Sequence, residues 1–221
     1  MSFDFSKLSD PCYFAENRLP AHSDHRFYRD ETELARGISS FERTLDGVWQ
    51  FAYARNIDAI PQDFTAADYD CHDWETIHVP AHIQMEGHGV PHYTNTTYPW
   101  DGHESIVPGE IPTRENPVGC YVKYFAVPED WDNVFISFAG VDAALALYLN
   151  GNFVGYSEDS CTPSDFDLTP YLVSGENKLA AMVFRYASAS WLEDQDFWRF
   201  SGIYRDVTLY TKPQNHIEDV A

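Results

Sequence analysis

The stretch Ala143-Ala-Leu-Ala-Leu-Tyr-Leu-Asn-Gly-Asn-Phe-Val-Gly-Tyr156 decides the fold. An apolar run reaches Asn150-Gly151, and a second strand-like run leaves it. Asn-Gly between two such runs is a strong hairpin signal, because the two-residue turn needs positive φ at both positions. The stretch therefore predicts two antiparallel strands. Similar short runs extend on either side. Gly119–Val127 alternates, Val134–Gly140 is apolar, and Leu179–Phe184 reads as a buried strand. Upstream, Leu45-Asp-Gly-Val-Trp-Gln-Phe-Ala-Tyr53 carries an Asp-Gly turn followed by alternation, and Asp73–Val79 is a strand ended by Pro80. Downstream, Ile203–Tyr210 alternates again, while Phe166–Leu172 reads as a turn or a single helical turn.

About eight short strands at even spacing, few helices and many Gly, Pro and Asn-Gly breaks predict an all-β antiparallel sandwich. A jelly roll is preferred to an immunoglobulin sandwich, because the Cys…Trp…Cys spacing of the latter is missing. Residues 1–40 read as an extended N-terminal arm with one short helical turn at Asp30–Arg36. Residues 41–212 form the sandwich, and 213–221 read as a linker into a further domain. The longest stretch without a strand pattern is Pro80–Pro117; long loops inside compact domains are usually functional.

Bulk composition excludes some classes of partner. With 14 Lys and Arg against 35 Asp and Glu, the formal net charge is -21, which repels nucleic acid and anionic membranes. No apolar run approaches the ~20 residues that span a bilayer. The N-terminus shows no secretory leader, and Cys12, Cys71, Cys120 and Cys161 are scattered, so free thiols in a cytoplasmic setting are expected.

The chemistry concentrates in Trp191-Leu-Glu-Asp-Gln-Asp-Phe-Trp-Arg-Phe-Ser-Gly-Ile-Tyr-Arg-Asp-Val207. Carboxylates bind sugar hydroxyls, and aromatic rings cover the C–H faces of a sugar. Glu193, Asp194 and Asp196 can orient hydroxyls, ligate a hard cation or do acid–base work. Equally, they can form an ion-pair cluster with Arg199 and Arg205. Glycoside hydrolysis needs two carboxyls flanking one bond, and side chains of extended neighbours diverge, so this run alone is a poor catalytic pair. A second candidate, Pro91–Trp100, sets Asn95 among Tyr, Thr and Trp in the long loop. The alternative there is a polar loop whose aromatics plug the sandwich end. His82, His88, His92 and His103, with Glu86 and Glu104, lack metal-ligand spacing and read as packing residues. Glu158, Asp159, Asp165 and Asp167 could line a cation loop, or serve as turn and cap residues.

Seven segments occur together in an order that resembles the N-terminal sugar-binding domain of glycoside hydrolase family 2, in its β-galactosidase branch. They are Leu45–Phe51, Val79–Met85, Tyr93–Pro99, Asn116–Tyr121, Leu149–Tyr156, Pro163–Leu168 and Glu193–Val207. The resemblance implies a galactose-binding-domain-like jelly roll ahead of an immunoglobulin-like domain and a catalytic barrel. It implies that the chain is the non-catalytic part of a retaining hydrolase of terminal β-D-galactosides such as lactose, and is inactive alone. It also implies that Asp196 reaches the galactosyl site and helps hold sodium with the barrel, and that Asn95 touches the sugar. Glu193, Asp194, Trp198, Arg199 and Arg205 would support them. The parent would assemble as a homo-oligomer and hold a structural magnesium between arm and sandwich. Glu158 and Ser188 depart from the pattern expected at that magnesium site. Two other functions fit the residues: a free-standing galactose-binding, lectin-like module, and a purely structural assembly domain.

Overall fold

The alternation along the sequence becomes two antiparallel sheets sharing one core. The computed structural model describes residues 3–193 and 196–220. In chain order the described strands are β1 (Ala15–Glu16), β2 (Glu42–Thr44), β3 (Gly47–Ala54), β4 (Glu75–Val79), β5 (His92–Thr94), β6 (Val118–Ala126), β7 (Phe135–Phe138), β8 (Val141–Asp142), β9 (Ala144–Leu149), β10 (Asn152–Ser157), β11 (Ser164–Asp167), β12 (Glu176–Phe184), β13 (Phe197–Arg199), β14 (Gly202–Ile203) and β15 (Val207–Tyr210). The larger sheet runs β1-β10-β9-β12-β6-β3-β4, and the smaller runs β11-β7-β15-β2. Two short ribbons, β13-β5 and β14-β8, stand apart.

The central strands of the larger sheet are buried on both faces, so they read as nearly continuous apolar runs. Leu145, Leu147 and Leu149 of β9 and Leu179, Ala181 and Val183 of β12 face the smaller sheet, packing with Ile136, Phe138, Phe166, Val207 and Leu209. Their neighbours Ala144, Ala146, Tyr148, Ala180, Met182 and Phe184 face the other way. That second face is covered by Phe3 and Leu8 of the arm and by Phe64 and Cys71 of the loop after β3.

The hairpin forms as its sequence predicts. Asn150 and Gly151 have φ of 51° and 81°. The asparagine does more than turn the chain: its Nδ2 donates to the Tyr171 carbonyl at 2.9 Å, and its Oδ1 accepts from Lys178 N–H at 2.9 Å. Gly155 is required by close approach, since a Cβ there would lie 2.6 Å from the Glu16 carbonyl oxygen of β1. The arm thus completes the sheet edge. Further along, Asp30 caps α1 (Glu31–Arg36) through Thr32 N–H and Glu33 N–H, and Gly37 ends it. Ser23 N–H donates to Asp219 at 2.7 Å, so the arm also meets the C-terminal segment.

Three sequence expectations change. Phe166 lies in strand β11, paired with β7, and only Thr169–Tyr171 makes the helical turn. The run Ile203–Tyr210 splits into β14 and β15, because Tyr204–Asp206 leave the ladder where Arg205 crosses Gly140. The Pro80–Pro117 segment contains β5, whose partner is far away in sequence at β13. All four cysteines are free thiols. Among the described residues no helix is long and apolar enough to cross a membrane.

Lys178 ties the second layer to the sheet. Its buried ammonium donates to the carbonyls of Phe64, Ala66 and Tyr69 at 2.8, 2.7 and 2.5 Å. A charged donor shared by three carbonyls, one of them fully buried, is costly to remove, because the acceptors lose a partner that water only partly replaces. Lys178→Met should therefore destabilise the fold by about 2–3 kcal/mol. Urea melts would measure the loss, and amide exchange should rise first across residues 61–70. A variant melting at the wild-type midpoint would refute this role.

Candidate functional site

The two chemical segments of the sequence are brought together by one short ribbon. β13 pairs with β5 in the register Phe197↔Thr94, Trp198↔Tyr93, Arg199↔His92. Carried one residue further, that register sets Asp196 opposite Asn95. Both stand where the ribbon opens into loops, Asp196 with φ of 50°. The Tyr93 hydroxyl donates to Asp196 Oδ1 in a short bond. The nearby carboxylate holds the Tyr93 phenol above its ordinary range, chiefly through that hydrogen bond. The Asn95 Oδ1 accepts from Thr96 Oγ1 at 3.4 Å.

An aromatic strip runs away from this pair. Tyr93 and Trp198 lie with ring centroids 5.4 Å apart, and Trp198 meets Phe200 at 6.2 Å. His82 then stacks on Phe200 at 4.6 Å and on Tyr204 at 5.1 Å. Tyr93 and Trp198 are 48% and 53% exposed, which is high for a packed pair of rings of this size. A carboxylate and a carboxamide beside open aromatic faces can bind a neutral sugar: the polar groups take hydroxyls, and the rings take the C–H face.

Beneath the ribbon lies a buried polar layer. Arg199 is buried and donates to the Ser190 carbonyl at 3.4 Å. Its own carbonyl accepts from Arg185 Nη2 at 2.6 Å. Glu193 accepts from Ser160 Oγ at 3.1 Å; burial pushes its carboxyl upward, against the hydrogen bond from Ser160 and the charge of Arg199. Arg205 takes no part in this layer. It donates to the carbonyl of Cys161 at 2.7 Å and lies over the Tyr204 ring. Asp194 falls outside the described residues. Asp142 and Arg185 belong to the layer although the sequence reading passed over them. A carboxylate between the apolar runs at Val141 and Ala143 was the available signal for Asp142.

The other candidates resolve into packing and turns. His88 packs on Phe51 at 4.8 Å, and His92 meets His103 at 6.2 Å. Asp159 caps the turn at Cys161 and Thr162, and Asp167 accepts from Thr169 N–H. Among the described residues, no group of three or more His, Cys, Asp or Glu is placed to hold a metal. Magnesium in particular does not fit at Glu158. That buried carboxylate already accepts from Tyr156 Oη, Ser188 Oγ and Ala189 N–H at 2.7, 2.8 and 2.8 Å. Burial pushes its carboxyl upward, against the hydrogen bonds from Tyr156, Ala189 and Ser188.

Residues 42–213 match the family described as glycosyl hydrolases family 2, sugar binding domain. The chain belongs to this family. Among curated relatives, the β-galactosidase of Halalkalibacterium halodurans is 54% identical over 97% of this chain and 22% of its own length. That of Streptococcus thermophilus is 46% identical over 96% of this chain and 21% of its length. The β-galactosidase large subunit of Latilactobacillus sakei is 45% identical over 96% of this chain and 36% of its length. The chain thus spans about a fifth to a third of these relatives. Among solved structures, a β-glucuronidase from glycoside hydrolase family 2 aligns with a TM-score of 0.55 at 26% identity, over 77% of this chain and 17% of that one. Bacteroides uniformis β-glucuronidase 2 shares the fold with a TM-score of 0.57 at 22% identity, over 78% of this chain and 18% of that one.

The layer beneath the ribbon carries a pH dependence. Burial, and then the charge of Glu193, push the Asp142 carboxyl up to about 7, against Arg199 and Arg185. A carboxyl raised in the fold stabilises while it is protonated. Its contribution is complete below the ordinary carboxylate range near 3.8 and is lost as pH rises through about 7. Asp142→Asn removes that titration. Thermal melts from pH 5 to pH 8 should show wild type losing stability relative to the variant, and parallel curves would refute the assignment.

Proposed function

We propose that this chain forms one wall of the galactosyl site in a β-galactosidase that hydrolyses terminal β-D-galactosides such as lactose with retention of configuration. The ribbon register carries the reading: it sets Asn95 opposite Asp196 at the mouth of an exposed aromatic strip. The identity to curated β-galactosidases supports the substrate. In this reading Asp196 accepts hydrogen bonds from sugar hydroxyls, held in place by the Tyr93 hydroxyl. Asn95 both donates and accepts, and Trp198 covers the apolar face. Glu193 and Arg199 hold the base of the ribbon. The two catalytic carboxyls, about 5–5.5 Å apart in retaining enzymes, are assigned to the rest of the parent. This chain's role is then non-catalytic: it orients substrate and contributes binding that strengthens in the transition state.

Sodium fits as a shared ligand. Asp196 offers an exposed hard oxygen donor, and the remaining donors would come from the rest of the parent. Bound there, the ion would supply fixed positive charge toward sugar hydroxyls. The sandwich is read as a jelly roll, with residues 1–40 as its arm and 213–221 leading toward an immunoglobulin-like domain. Free thiols at Cys12, Cys71, Cys120 and Cys161 support a reducing, cytoplasmic setting, and assembly as a homo-oligomer is part of the same reading.

The test is kinetic. In the full-length parent, Asp196→Asn should lower kcat/KM for lactose by about ten- to a hundredfold, the loss of one charge-assisted hydrogen bond in the transition state. Asp167→Asn, at the end of β11 in the smaller sheet, should change it little. The 221-residue chain should show no turnover of a nitrophenyl galactoside above a mock preparation. An Asp196→Asn enzyme with wild-type kcat/KM would reject the assignment. Turnover by the 221-residue chain would reject its non-catalytic role.

A further inference from the structure

The ribbon has a second face. Side chains alternate along a strand, so His92 and Arg199 point away from Tyr93 and Trp198. Behind them lies a cavity of ≈ 680 Å³ that includes Arg55, His92, His103, Arg114 and Arg185 in its lining. That is the size of a small-molecule site rather than of an ion hole.

The charges of this cavity run against the rest of the chain. The protein carries 35 acidic side chains and only 14 Lys and Arg, yet three arginines converge here. Among the described residues the salt bridges involve other cations; none of these three guanidiniums is in one, although the charge of Arg185 reaches Asp142. In a chain so rich in acids, unpaired arginines are not explained by a shortage of partners. Two glutamates also line the space, but Glu104 is turned to other donors. Its carboxylate accepts from Thr113 N–H, Thr113 Oγ1 and Arg114 N–H. Glu115 is exposed at the rim.

Arg185 is the strongest sign of a ligand. It is only 7% exposed, and its Nε is buried without a hydrogen-bond partner. A buried donor left unmade costs about 1–3 kcal/mol, so the surrounding packing holds the guanidinium in this position at a cost. Its Nη2 is already used, donating to the carbonyls of Val90 and Arg199 at 3.1 and 2.6 Å. The guanidinium is therefore fixed in direction before any ligand arrives. The field it sets up is felt by His92, whose imidazole is held below its ordinary range by burial and then by Arg185 and His103. Arg55 and Arg114 are exposed at the mouth, where they can close over an incoming anion.

We propose that this cavity binds a small organic anion, a phosphate ester or a carboxylate, on the face of the ribbon opposite the proposed sugar wall. Guanidinium forks match both anion types bidentately. The remaining volume would take the organic part between Tyr53 and the prolines at 91 and 112. This proposal is independent of the galactosyl reading, since none of its three arginines was used there to contact sugar.

The experiment is a titration of the full-length parent, with the 221-residue chain beside it. Three probes are used: inorganic phosphate, a hexose 6-phosphate and a hexuronate. One organic anion should bind, and its affinity should fall about tenfold or more in Arg55→Gln/Arg114→Gln, a variant whose altered residues are exposed and whose melting temperature should stay unchanged. Binding should weaken as salt rises and should not be displaced by galactose. Preference for the hexose phosphate identifies a phosphate ester as the ligand, and preference for the hexuronate identifies a carboxylate. Inorganic phosphate binding as tightly as either organic probe would mean an adventitious ion only and overturn the proposal. So would the absence of binding at about 10 mM, or a double variant that binds like wild type. Binding by the 221-residue chain that disappears in the parent would assign the cavity to a segment of the parent and overturn it as well.

Discussion

Everything in this molecule depends on β9, β12 and β6 being buried on both faces. A strand covered on one side needs only alternate apolar residues. These strands carry apolar residues at successive positions, so each face must find its own cover. The smaller sheet supplies one cover through Ile136, Phe138, Phe166 and Leu209. The arm and the loop after β3 supply the other through Phe3, Leu8, Phe64 and Cys71. The arm is therefore not an appendage. It closes a hydrophobic face, and β1 pairs with the edge strand β10.

That double burial also determines where polar groups can go. With both faces closed, polar side chains are confined to the sheet ends, where backbone groups remain available. Lys178 finds three carbonyls, Asn150 in the β9–β10 turn donates to Asn177 of β12, and Glu158 collects three donors. At one end the surplus gathers under the ribbon. Arg199, Arg185, Glu193 and Asp142 form a polar layer, and the β5-β13 ribbon rests on it. The ribbon shows aromatic rings and Asp196 on one face and an arginine-lined cavity on the other. Arg185 holds the carbonyls of Val90 and Arg199, and so touches both segments of the ribbon at once.

The saturation of Glu158 has a consequence for ions. Where the family resemblance implied magnesium, this chain has a hydrogen-bonded knot of Tyr156, Glu158, Ser188 and the Ala189 amide. The knot joins the end of β10 to the turn ahead of the ribbon, and Glu158 N–H reaches the Phe14 carbonyl of the arm. Arm, sheet and turn are linked there by neutral and ionic hydrogen bonds among the chain's own groups.

The sequence by itself determined the sandwich. Alternation, the Asn150-Gly151 turn and the runs in β3, β6, β9 and β12 are local signals, because side-chain direction along a strand follows from the backbone. It also offered Asn95 and Asp196 as sugar contacts, through the chemistry of their neighbours and the family resemblance, and the ribbon register sets the two opposite each other. The tertiary structure decided what no local pattern encodes. β5 and β13 are three residues each and separated by about a hundred positions, so neither looks like a strand until the other is beside it. Phe166 and the break at Tyr204–Asp206 depend in the same way on neighbours remote in sequence. The separation of Arg205 from Glu193, and the gathering of Arg55, Arg114 and Arg185 around one cavity, are facts of packing. Charges far apart along a chain carry no sign of whether they will meet; burial and strand register decide it.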